Sequence, residues 1–494
     1  MPNSRTSFQA LVLSGIAIFL FTPLTARGTT YTAASANVTD IRAKIDLARD
    51  GDTIVVPAGI AQWTVPLEIT KNITVRGAGI GRTVIFDEVP RTSGDSCALQ
   101  VVLSKNLPFR FSGFEFRGDS TVTKPNNNGV IRFRGMQGAT SNFRLDHCKF
   151  TGLYGLALRL SDLIGVMDHC TLETTNFQGV QVYHRAWGGG DFGHGSWADY
   201  PYWGSGKFLF IEDCDFSTAS VNTAALDCYE GARVVVRHST FNDALISAHG
   251  TEGQGRGTKQ LEIYNNSFHV SMLRNAGQVR SGSVVIHDNV YNNFTRGMTL
   301  QAYRQFSRKS RWGISTGSNV WDVNNFVLAA FDKGTHTGAD SATMLVDSNK
   351  NWVADQWETV VSRKGFGYII RNITQHRQAP ILSNTRRTIS YFRATPAMRF
   401  NRGDNYEIWK VVTTLDQPGQ GKSDLLFGLP AQPQGWPHNV LEPCYSWNNK
   451  DESGNQLDLE SFEGTIQEGQ DFFNRTPKPN YATYVYPHPL AVGQ

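Results

Sequence analysis

The chain has 494 residues, a formal net charge of +4 at pH 7, 47 glycines and 11% aromatic residues. The small net charge and the scattered Lys and Arg residues exclude a nucleic-acid-binding surface of the usual basic kind. A glycine-rich composition without long amphipathic helical patterns favours a β-rich protein with many tight turns.

The N-terminus has the pattern of a cleaved secretory signal. Arg5 lies in a short polar segment, the apolar run Ala10–Phe21 follows it, and small residues surround the expected cleavage point at Ala26. The apolar run is shorter than the about 20 residues that a membrane-spanning helix needs. We therefore predict a signal peptide over 1–26 and a secreted protein, extracellular or periplasmic, with no membrane contact after signal cleavage.

A six-residue pattern repeats through the middle of the chain. It begins as "LDHCKF" at Leu145–Phe150, and five further copies follow at Met167–Leu172, Ile211–Phe216, Val236–Phe241, Ile263–Phe268 and Ile286–Tyr291. Each copy predicts two short strands around a polar corner, and one such unit cannot bury its apolar face alone. Copies start 22 to 27 residues apart, with one step of 44, which predicts a coil of stacked parallel strands.

Equivalent positions of the repeat should form ladders along the stack, about 4.8 Å from one strand to the next. We expect the last, aromatic position to stack ring on ring. The fourth position changes from cysteine through serine to asparagine, and the asparagines should hydrogen-bond from coil to coil. A looser copy, "TGSNVW" at Thr316–Trp321, would place Asn319 in line with Asn266 and Asn289.

Two kinds of chemically reactive residue in the repeat are expected to be structural. The six cysteines show no zinc-binding spacing, and we interpret them as small buried apolar side chains rather than as disulfides. The acid and imidazole side chains inside the repeating frame are interpreted as corner residues rather than as ligands. These residues are Asp146, His147, Asp168, His169, His238 and His287.

The sequence resembles the right-handed parallel β-helix proteins of the pectate-lyase-like superfamily of carbohydrate-active enzymes. The repeat carries the resemblance, together with Val38–Gly59, which matches the start of such folds as a short amphipathic helix, a polar turn and a first strand. The segment Ile73–Ile85 is similar to the next coil. The resemblance implies an all-β, right-handed single-stranded parallel β-helix, with an N-terminal capping helix that blocks edge-to-edge pairing. No family-specific catalytic motif accompanies it.

The pattern changes after residue 340. Alternating apolar residues and polar turns over 341–411 predict a small antiparallel β insertion. The segment Leu441–Lys450 has the pattern of a returning β-helix coil, and the Pro- and Tyr-rich end predicts an extended tail along that coil. We therefore assign 27–340 to the parallel β-helix and 412–494 to the returning coil and tail. A separate C-terminal domain is the alternative.

Polar clusters follow the ladder aromatics by about 8 to 14 residues, and stacking should bring them onto one face. Arg, His, Tyr and carboxylate groups together are typical of a site for acid–base chemistry. The candidate catalytic residues are His249, Arg280, Arg256, Tyr229, Glu252 and Arg304. The candidate substrate-binding residues in the same clusters are Tyr183, His184, Arg185, Asp227, Glu230 and Tyr303.

The 44-residue step contains an insertion, His184–Gly206, that is rich in glycine and aromatic residues. Flat aromatic rings suit the apolar faces of sugars, and binding residues concentrate on loops over rigid scaffolds. We therefore expect Trp187, Trp197 and Trp203 to form the wall of a cleft on the same face. The alternative is an ordinary surface loop whose aromatic residues pack against the coil.

Two enzymatic mechanisms suit this face. In a polysaccharide lyase, cations neutralise a uronate carboxylate while a base and an acid exchange protons with the sugar. The arginines among the catalytic candidates can supply the charge, and His249 or Tyr229 can exchange the protons. In a glycoside hydrolase, paired carboxylates perform the reaction. The candidates for that pair are Asp227, Glu230 and Glu252.

The surplus of Arg, His and Tyr over paired acids favours a lyase that cleaves an acidic, uronate-containing glycan by β-elimination. A non-catalytic glycan-binding or adhesion β-helix is a third interpretation. We expect a monomer whose partner is its polysaccharide substrate. Calcium stays open as a cofactor, because the acids named for the hydrolase could also converge on a cation.

Overall fold

The computed structural model describes residues 28–119, 128–135, 140–174, 179–218, 224–250, 255–301, 332–357, 366–391, 398–412, 416–419, 441–461 and 466–492. The predicted signal peptide lies outside these ranges. No helix within them is long and apolar enough to cross a membrane.

Within the described ranges, three parallel sheets surround one continuous apolar core. The first sheet contains Thr30–Thr32, Thr53–Val55, Thr74–Arg76, Phe109–Ser112, Thr140–Asp146, Leu163–Asp168, Leu209–Glu212, Arg233–Arg237, Gln260–Tyr264, Ser283–His287, Cys444–Trp447 and Phe472–Asn474. The second contains Gly59–Trp63, Thr83–Asp87, Glu115–Arg117, Lys149–Thr151, Thr171–Thr174, Asp215–Thr218, Thr240–Asn242, Ser267–Asn275, Val290–Arg296 and Lys450–Asp451. The third contains Leu67–Ile69, Leu99–Leu103, Ile131–Gly135, Leu158–Ser161, Val180–Tyr183, Ala224–Tyr229, Leu245–Ala248, Gly277–Val279, Thr299–Leu300 and Glu460–Ser461.

Each strand pairs in parallel with the strand one coil away, and the repeat sets the register. Leu145 lies beside Met167, which lies beside Ile211, so the first aliphatic position of successive copies is aligned. The chain is therefore a parallel β-helix, which is the fold that the resemblance implies. Stacking lets each coil bury the apolar face that it could not bury alone.

The third position of the repeat is polar for a backbone reason. His147, His169, Asp213 and Asn265 occupy the corner between the first and second sheets with φ values of 50°, 52°, 53° and 55°. Among residues other than glycine, Asn, Asp and His tolerate this left-handed conformation best. The corner therefore selects these residue types in coil after coil.

The fourth position forms the predicted hydrogen-bonded ladder. Nδ2 of Asn266 donates to Oδ1 of Asn289 at 3.0 Å, and Nδ2 of Asn289 donates to Oδ1 of Asn449 at 2.8 Å. Asn449 belongs to the returning coil, so it takes the place beside Asn289 that the sequence suggested for Asn319. Thr316–Trp321, which includes Asn319, lies outside the described residues.

We expect Asn289→Leu to lower the free energy of unfolding by about 2–4 kcal/mol, because it leaves buried amide groups of Asn266 and Asn449 without one partner each. Urea unfolding measures the change. Asn292→Leu is the matched control, because Asn292 is half-buried and lies outside the ladder. The control should stay within about 0.5 kcal/mol of the natural protein. Equal losses in both variants would contradict the structural role of the ladder.

The last position of the repeat stacks ring on ring, as predicted. The ring centroids of Phe216, Phe241, Phe268 and Tyr291 follow one another at 4.7, 4.8 and 4.8 Å. All six cysteines are free and buried. The interpretation of the cysteines as small apolar side chains is therefore confirmed.

The helix Val38–Leu47 covers the first coil, which confirms the predicted cap. Ile41 and Ile45 on its inner side are buried in the main core. Nζ of Lys71 donates to the carbonyl oxygens of Ile45 and Ala48 at 2.7 and 2.8 Å. A cation at the carbonyl end of a helix stabilises it, and here it also ties the helix to the coil below.

The antiparallel insertion has its own sheet and its own apolar core. Its strands are Asp332–Thr335, Met344–Val346, Phe366–Asn372, Arg377–Asn384, Thr388–Tyr391 and Asn405–Val412. The insertion begins earlier than the predicted boundary at 341, because Asp332–Thr335 pairs with Asn405–Val412. The chain then returns to the β-helix, where Cys444–Trp447 pairs with Ser283–His287.

The C-terminal segment lies extended against the outer side of the first sheet. The guanidinium of Arg237, which is fully buried, donates to the carbonyl oxygens of Tyr484 and Val485 at 2.7 and 2.9 Å. The hydroxyl of Tyr481 donates to a carboxylate oxygen of Glu262 at 2.7 Å. These buried polar contacts fix the tail on the sheet.

Candidate active site

Two rows of side chains point outward from the third sheet, because residues two apart on a strand share a face. The first row runs from coil to coil through Gln100, Arg132, Arg159, Gln181, Asp227, Ser247 and Gln278. The second row runs through Val102, Arg134, Ser161, Tyr183 and Tyr229 and continues to His249 and Arg280. The third sheet therefore gathers the described polar clusters on one face, as their spacing predicts.

A cleft of about 560 Å³ opens over the N-terminal half of this face. Tyr183 and Ser161 line it together with several charged side chains. The charged residues are Arg132, Arg134, Arg159, Arg185, Asp95, Asp162 and Asp191. The sequence analysis singled out only Tyr183 and Arg185 among these nine residues.

Two of the cleft arginines form no ion pair with any carboxylate of the described residues. Arg159 lies over the ring of Tyr183, with 4.2 Å between the guanidinium carbon and the ring centroid. By contrast, Nε of Arg185 lies 2.9 Å from Asp191. In the described part of the chain, Arg134 and Arg159 form no ion pair, so their charges are available to an anionic ligand.

Asp162 places a buried carboxyl group with a raised pKa in the same cleft. The residue is only 4% exposed, and its Oδ1 accepts a hydrogen bond from the backbone N–H of Ala186 at 2.7 Å. Burial raises the pKa of Asp162 to about 6, although the Ala186 N–H and the charge of Arg134 act in the opposite direction. A carboxyl group that titrates near neutral pH is suited to proton transfer.

Several predicted residues form a second group on the same face. Tyr229 stacks on His249 with 4.1 Å between ring centroids, and its hydroxyl donates to Asp227 at 2.8 Å. Nη2 of Arg280 lies 3.4 Å from Asp227. The group continues the face of the cleft, because Tyr183 stacks on Tyr229 at 5.1 Å.

Arg256 occupies a structural position rather than the predicted catalytic one. Its side chain is fully buried, and its Nε donates to both carboxylate oxygens of Asp416 at 2.9 and 2.8 Å. The guanidinium also lies 4.9 Å from the ring centroid of Trp197. Arg256 therefore holds the segment that returns from the insertion. The predicted residues outside the described ranges are Glu252, Tyr303 and Arg304.

We expect Arg256→Ala to destabilise the protein by about 3–5 kcal/mol, because it leaves the carboxylate of Asp416 as an uncompensated buried charge. Thermal unfolding followed by circular dichroism measures the loss. The double variant Arg256→Met with Asp416→Asn removes both charges and should recover part of the stability. An unchanged melting temperature in Arg256→Ala would contradict the structural role of the pair.

His184 is also removed from any substrate. It is fully buried, its Nδ1 accepts the backbone N–H of Arg233 at 2.9 Å, and its Nε2 donates to the carbonyl oxygen of Leu163 at 2.8 Å. Burial lowers the pKa of His184 to about 4, so the ring stays neutral at physiological pH. The ring therefore fixes the start of the insertion on the coil.

The insertion does not form the expected wall of tryptophans. It contains a short 3₁₀ helix, Trp187–Gly189, and a short α-helix, His194–Ala198. Trp197 is fully buried, and its Nε1 donates to the carbonyl oxygen of Gly257 at 2.7 Å. Trp203 packs on the first sheet, where its Nε1 donates to Glu442 at 2.6 Å.

Trp187 is also packed against the protein rather than exposed in the cleft. It is 6% exposed, and its Nε1 donates to Asp199 at 2.8 Å. Indole rings with an internal acceptor gain more from packing against the coil than from facing solvent. The ordinary-loop alternative therefore describes all three tryptophans. Arg185 and Asp191 are the parts of the insertion that line the cleft with charge.

The described acids near the second group do not form a calcium site. Asp227 accepts a hydrogen bond from Tyr229 and lies beside Arg280. Glu230 lies 3.6 Å from Arg185, and burial raises its pKa. Calcium prefers several carboxylate oxygens converging on one point, whereas these oxygens face cations and hydroxyl groups.

No protein-family model matches the sequence, and no curated protein matches it at a significant level. Among solved structures, the chain is similar to an alginate lyase from Paenibacillus sp. str. FPU-7, at 15% sequence identity and a TM-score of 0.33, over 55% of this chain and 92% of that chain. It is also similar to a variant of the PL6-family alginate lyase AlyGC, at 14% identity and a TM-score of 0.34, over 55% of this chain and 40% of that chain. The fold of this chain is defined by its strand pairing.

Proposed function

We propose that the chain is a polysaccharide lyase that cleaves a uronate-containing glycan by β-elimination in the cleft on the third sheet. One observation carries the proposal above the others. Arg134 and Arg159 form no ion pair among the described residues, and they line the same cleft as Asp162, a buried carboxyl group with a pKa of about 6. Fixed positive charge beside a proton acceptor is the combination that β-elimination requires.

The reaction assigns one role to each group. Arg134 and Arg159 bind the uronate carboxylate and neutralise it, which makes the neighbouring C–H bond more acidic. The carboxylate of Asp162 takes that proton as the C–H bond breaks. The electron pair forms a carbon–carbon double bond, the glycosidic C–O bond breaks, and the leaving oxygen takes a proton from the hydroxyl of Tyr183. The products are an unsaturated uronate and a new sugar hydroxyl.

The proposed site differs in part from the group predicted from the sequence. Tyr229, His249 and Arg280 extend the same face, and we propose that they contact sugars next to the cleaved bond. A polymeric substrate also fits the secretion that we predict from residues 1–26.

The purified protein should release an ultraviolet-absorbing unsaturated product from at least one polyuronate, because β-elimination creates a conjugated double bond. A panel of polyuronates, with a neutral polysaccharide as control, is assayed in parallel for absorbance and for new reducing ends. Reducing ends without absorbance would replace the lyase by a glycoside hydrolase. Retention of the polymer with neither signal would identify a glycan-binding β-helix.

A further inference from the structure

Two histidines form a solvent-facing pair away from the cleft. His147 and His169 lie at the corner between the first and second sheets on successive coils. Their rings are parallel, with 4.8 Å between centroids and 1° between planes. Their side chains are 54% and 51% exposed, so the outer ring edges face solvent.

A buried carboxylate orients each ring. Nδ1 of His147 lies 2.8 Å from Asp146, and Nδ1 of His169 lies 3.0 Å from Asp168. Both carboxylates are fully buried. A carboxylate at Nδ1 holds the proton there and leaves the lone pair of Nε2 free for a metal ion, as around histidines that bind metals.

Arginines hold these carboxylates in turn. Nε and Nη2 of Arg110 donate to the two oxygens of Asp146 at 2.7 and 2.8 Å. Nε and Nη2 of Arg144 donate to the two oxygens of Asp168 at 3.0 Å each. Each imidazole therefore sits on a rigid ion pair, which reduces the ordering that a bound ion would have to impose.

We infer that His147 and His169 form a site for a divalent transition-metal ion such as Cu²⁺ or Zn²⁺, bound by the two Nε2 atoms and completed by solvent. Imidazole nitrogen is a favoured ligand for these ions. Asp168 supports the site without binding the ion, because it is fully buried and its oxygens are engaged by Arg144 and His169. The ion links two successive coils from outside.

Binding of one ion by both histidines requires a rearrangement of the imidazole rings. The candidate ligand atoms of His147, Asp168 and His169 all lie within 4.8 Å of one another. One ion can bridge two nitrogens at most about 4.2 Å apart, which is twice a metal–nitrogen bond. The two ring planes are parallel, so at least one imidazole has to rotate until its Nε2 lone pair converges with that of the other ring, and the solvent exposure of both side chains leaves room for this rotation.

Backbone geometry alone does not require histidine at these positions. Asp213, Asn265 and Asn448 hold the same left-handed corner, with φ values of 53°, 55° and 51°. Asparagine can therefore replace either histidine without backbone strain. His238 has the same conformation, with a φ of 51°, but stacks on Tyr486 instead of on a second histidine. It provides a matched control.

Titration calorimetry with Cu²⁺ and with Zn²⁺ tests the site on protein whose affinity tag has been removed. The natural protein and His238→Asn should bind one equivalent with equal affinity, whereas His147→Asn and His169→Asn should each bind at least tenfold more weakly. Nitrogen coupling in the electron paramagnetic resonance spectrum of the Cu²⁺ complex should show two imidazoles and should fall to one in either variant. Unchanged affinity in His147→Asn, or no binding by the natural protein, would overturn the inference.

Discussion

Arg159→Ala should reduce kcat/KM on the preferred polyuronate by about 100-fold or more, because it removes a fixed charge that stabilises the developing negative charge of the substrate. The melting temperature should stay nearly unchanged. Arg159 is half-buried, stacks on Tyr183 and forms no ion pair with the described residues, and the nearby buried carboxyl of Glu230 keeps Arg185 as its cation. Initial rates measured by ultraviolet absorbance give the result.

Two further variants separate charge from shape. Arg159→Lys keeps the charge but loses the planar stacking and the paired hydrogen bonds that a guanidinium offers a carboxylate, so its activity should lie between the two extremes. Arg76→Ala removes an exposed arginine from the first sheet and should leave activity unchanged. Full activity in Arg159→Ala would remove the cleft from the proposed mechanism.

Asp162→Asn should lower kcat by about 100- to 10,000-fold, because the proton acceptor is missing. The same variant should be more stable than the natural protein at pH 7. The pKa of Asp162 in the folded protein, about 6, lies above the ordinary value of 3.8. The folded state therefore holds this proton more tightly than the unfolded state does. The corresponding stability is present in full below about pH 4 and is lost as the pH rises through 6.

Above pH 6, Asp162 is a buried charge that costs up to about 3 kcal/mol, at 1.36 kcal/mol for each pH unit between the two pKa values. Asparagine removes this charge and keeps the hydrogen bond from the N–H of Ala186. It also accepts the left-handed backbone at this position, where φ is 57°. Urea unfolding from pH 4 to pH 8 should therefore show an advantage for Asp162→Asn that grows with pH.

Two results would contradict the role proposed for Asp162. A variant with full activity would assign the proton transfer to another group, such as His249. A variant that is less stable than the natural protein at pH 7 would mean that the charged carboxylate stabilises the fold. Loss of activity together with gained stability is expected when a strained functional group is removed.

The repeat carried most of the information about the fold. Its aliphatic and aromatic positions set the register of the sheets, as the stack from Phe216 to Tyr291 shows. The identity of the coil that follows Ile286–Tyr291 could not be read in the same way. A local pattern at Thr316–Trp321 resembled the repeat, whereas the actual neighbour, Cys444–Trp447, lies far along the chain.

The sequence indicated the face that carries the proposed site, but only some of the residues that line it. The cleft arginines do not lie in clusters that mix several polar residue types, which are the pattern that predicted the other candidates. Even so, "LRLSD" at Leu158–Asp162 lies at the same distance after Phe150 as those clusters do after their aromatic residues. The alternation of apolar residues with Arg in "IRFRG" at Ile131–Gly135 was a second signal. An arginine that alternates with buried residues on a strand points outward, and this rule would have found Arg132, Arg134 and Arg159.

The wrong assignments share a different cause. Arg256 is paired with Asp416, and Trp203 is covered by the C-terminal segment and Glu442. These partners are distant in sequence, so no local sequence pattern predicts the contacts. Burial of polar and aromatic side chains by remote segments is therefore the main limit on predicting this site.

A structure of Asp162→Asn with a bound uronate oligosaccharide tests the central claim most directly, because the inactive variant keeps the ligand intact. The account predicts one uronate carboxylate in the cleft, within about 3.2 Å of the guanidinium groups of Arg134 and Arg159. The C–H bond next to that carboxylate should face residue 162. An oligosaccharide bound on another sheet, or one whose carboxylates point away from both arginines, would contradict the account.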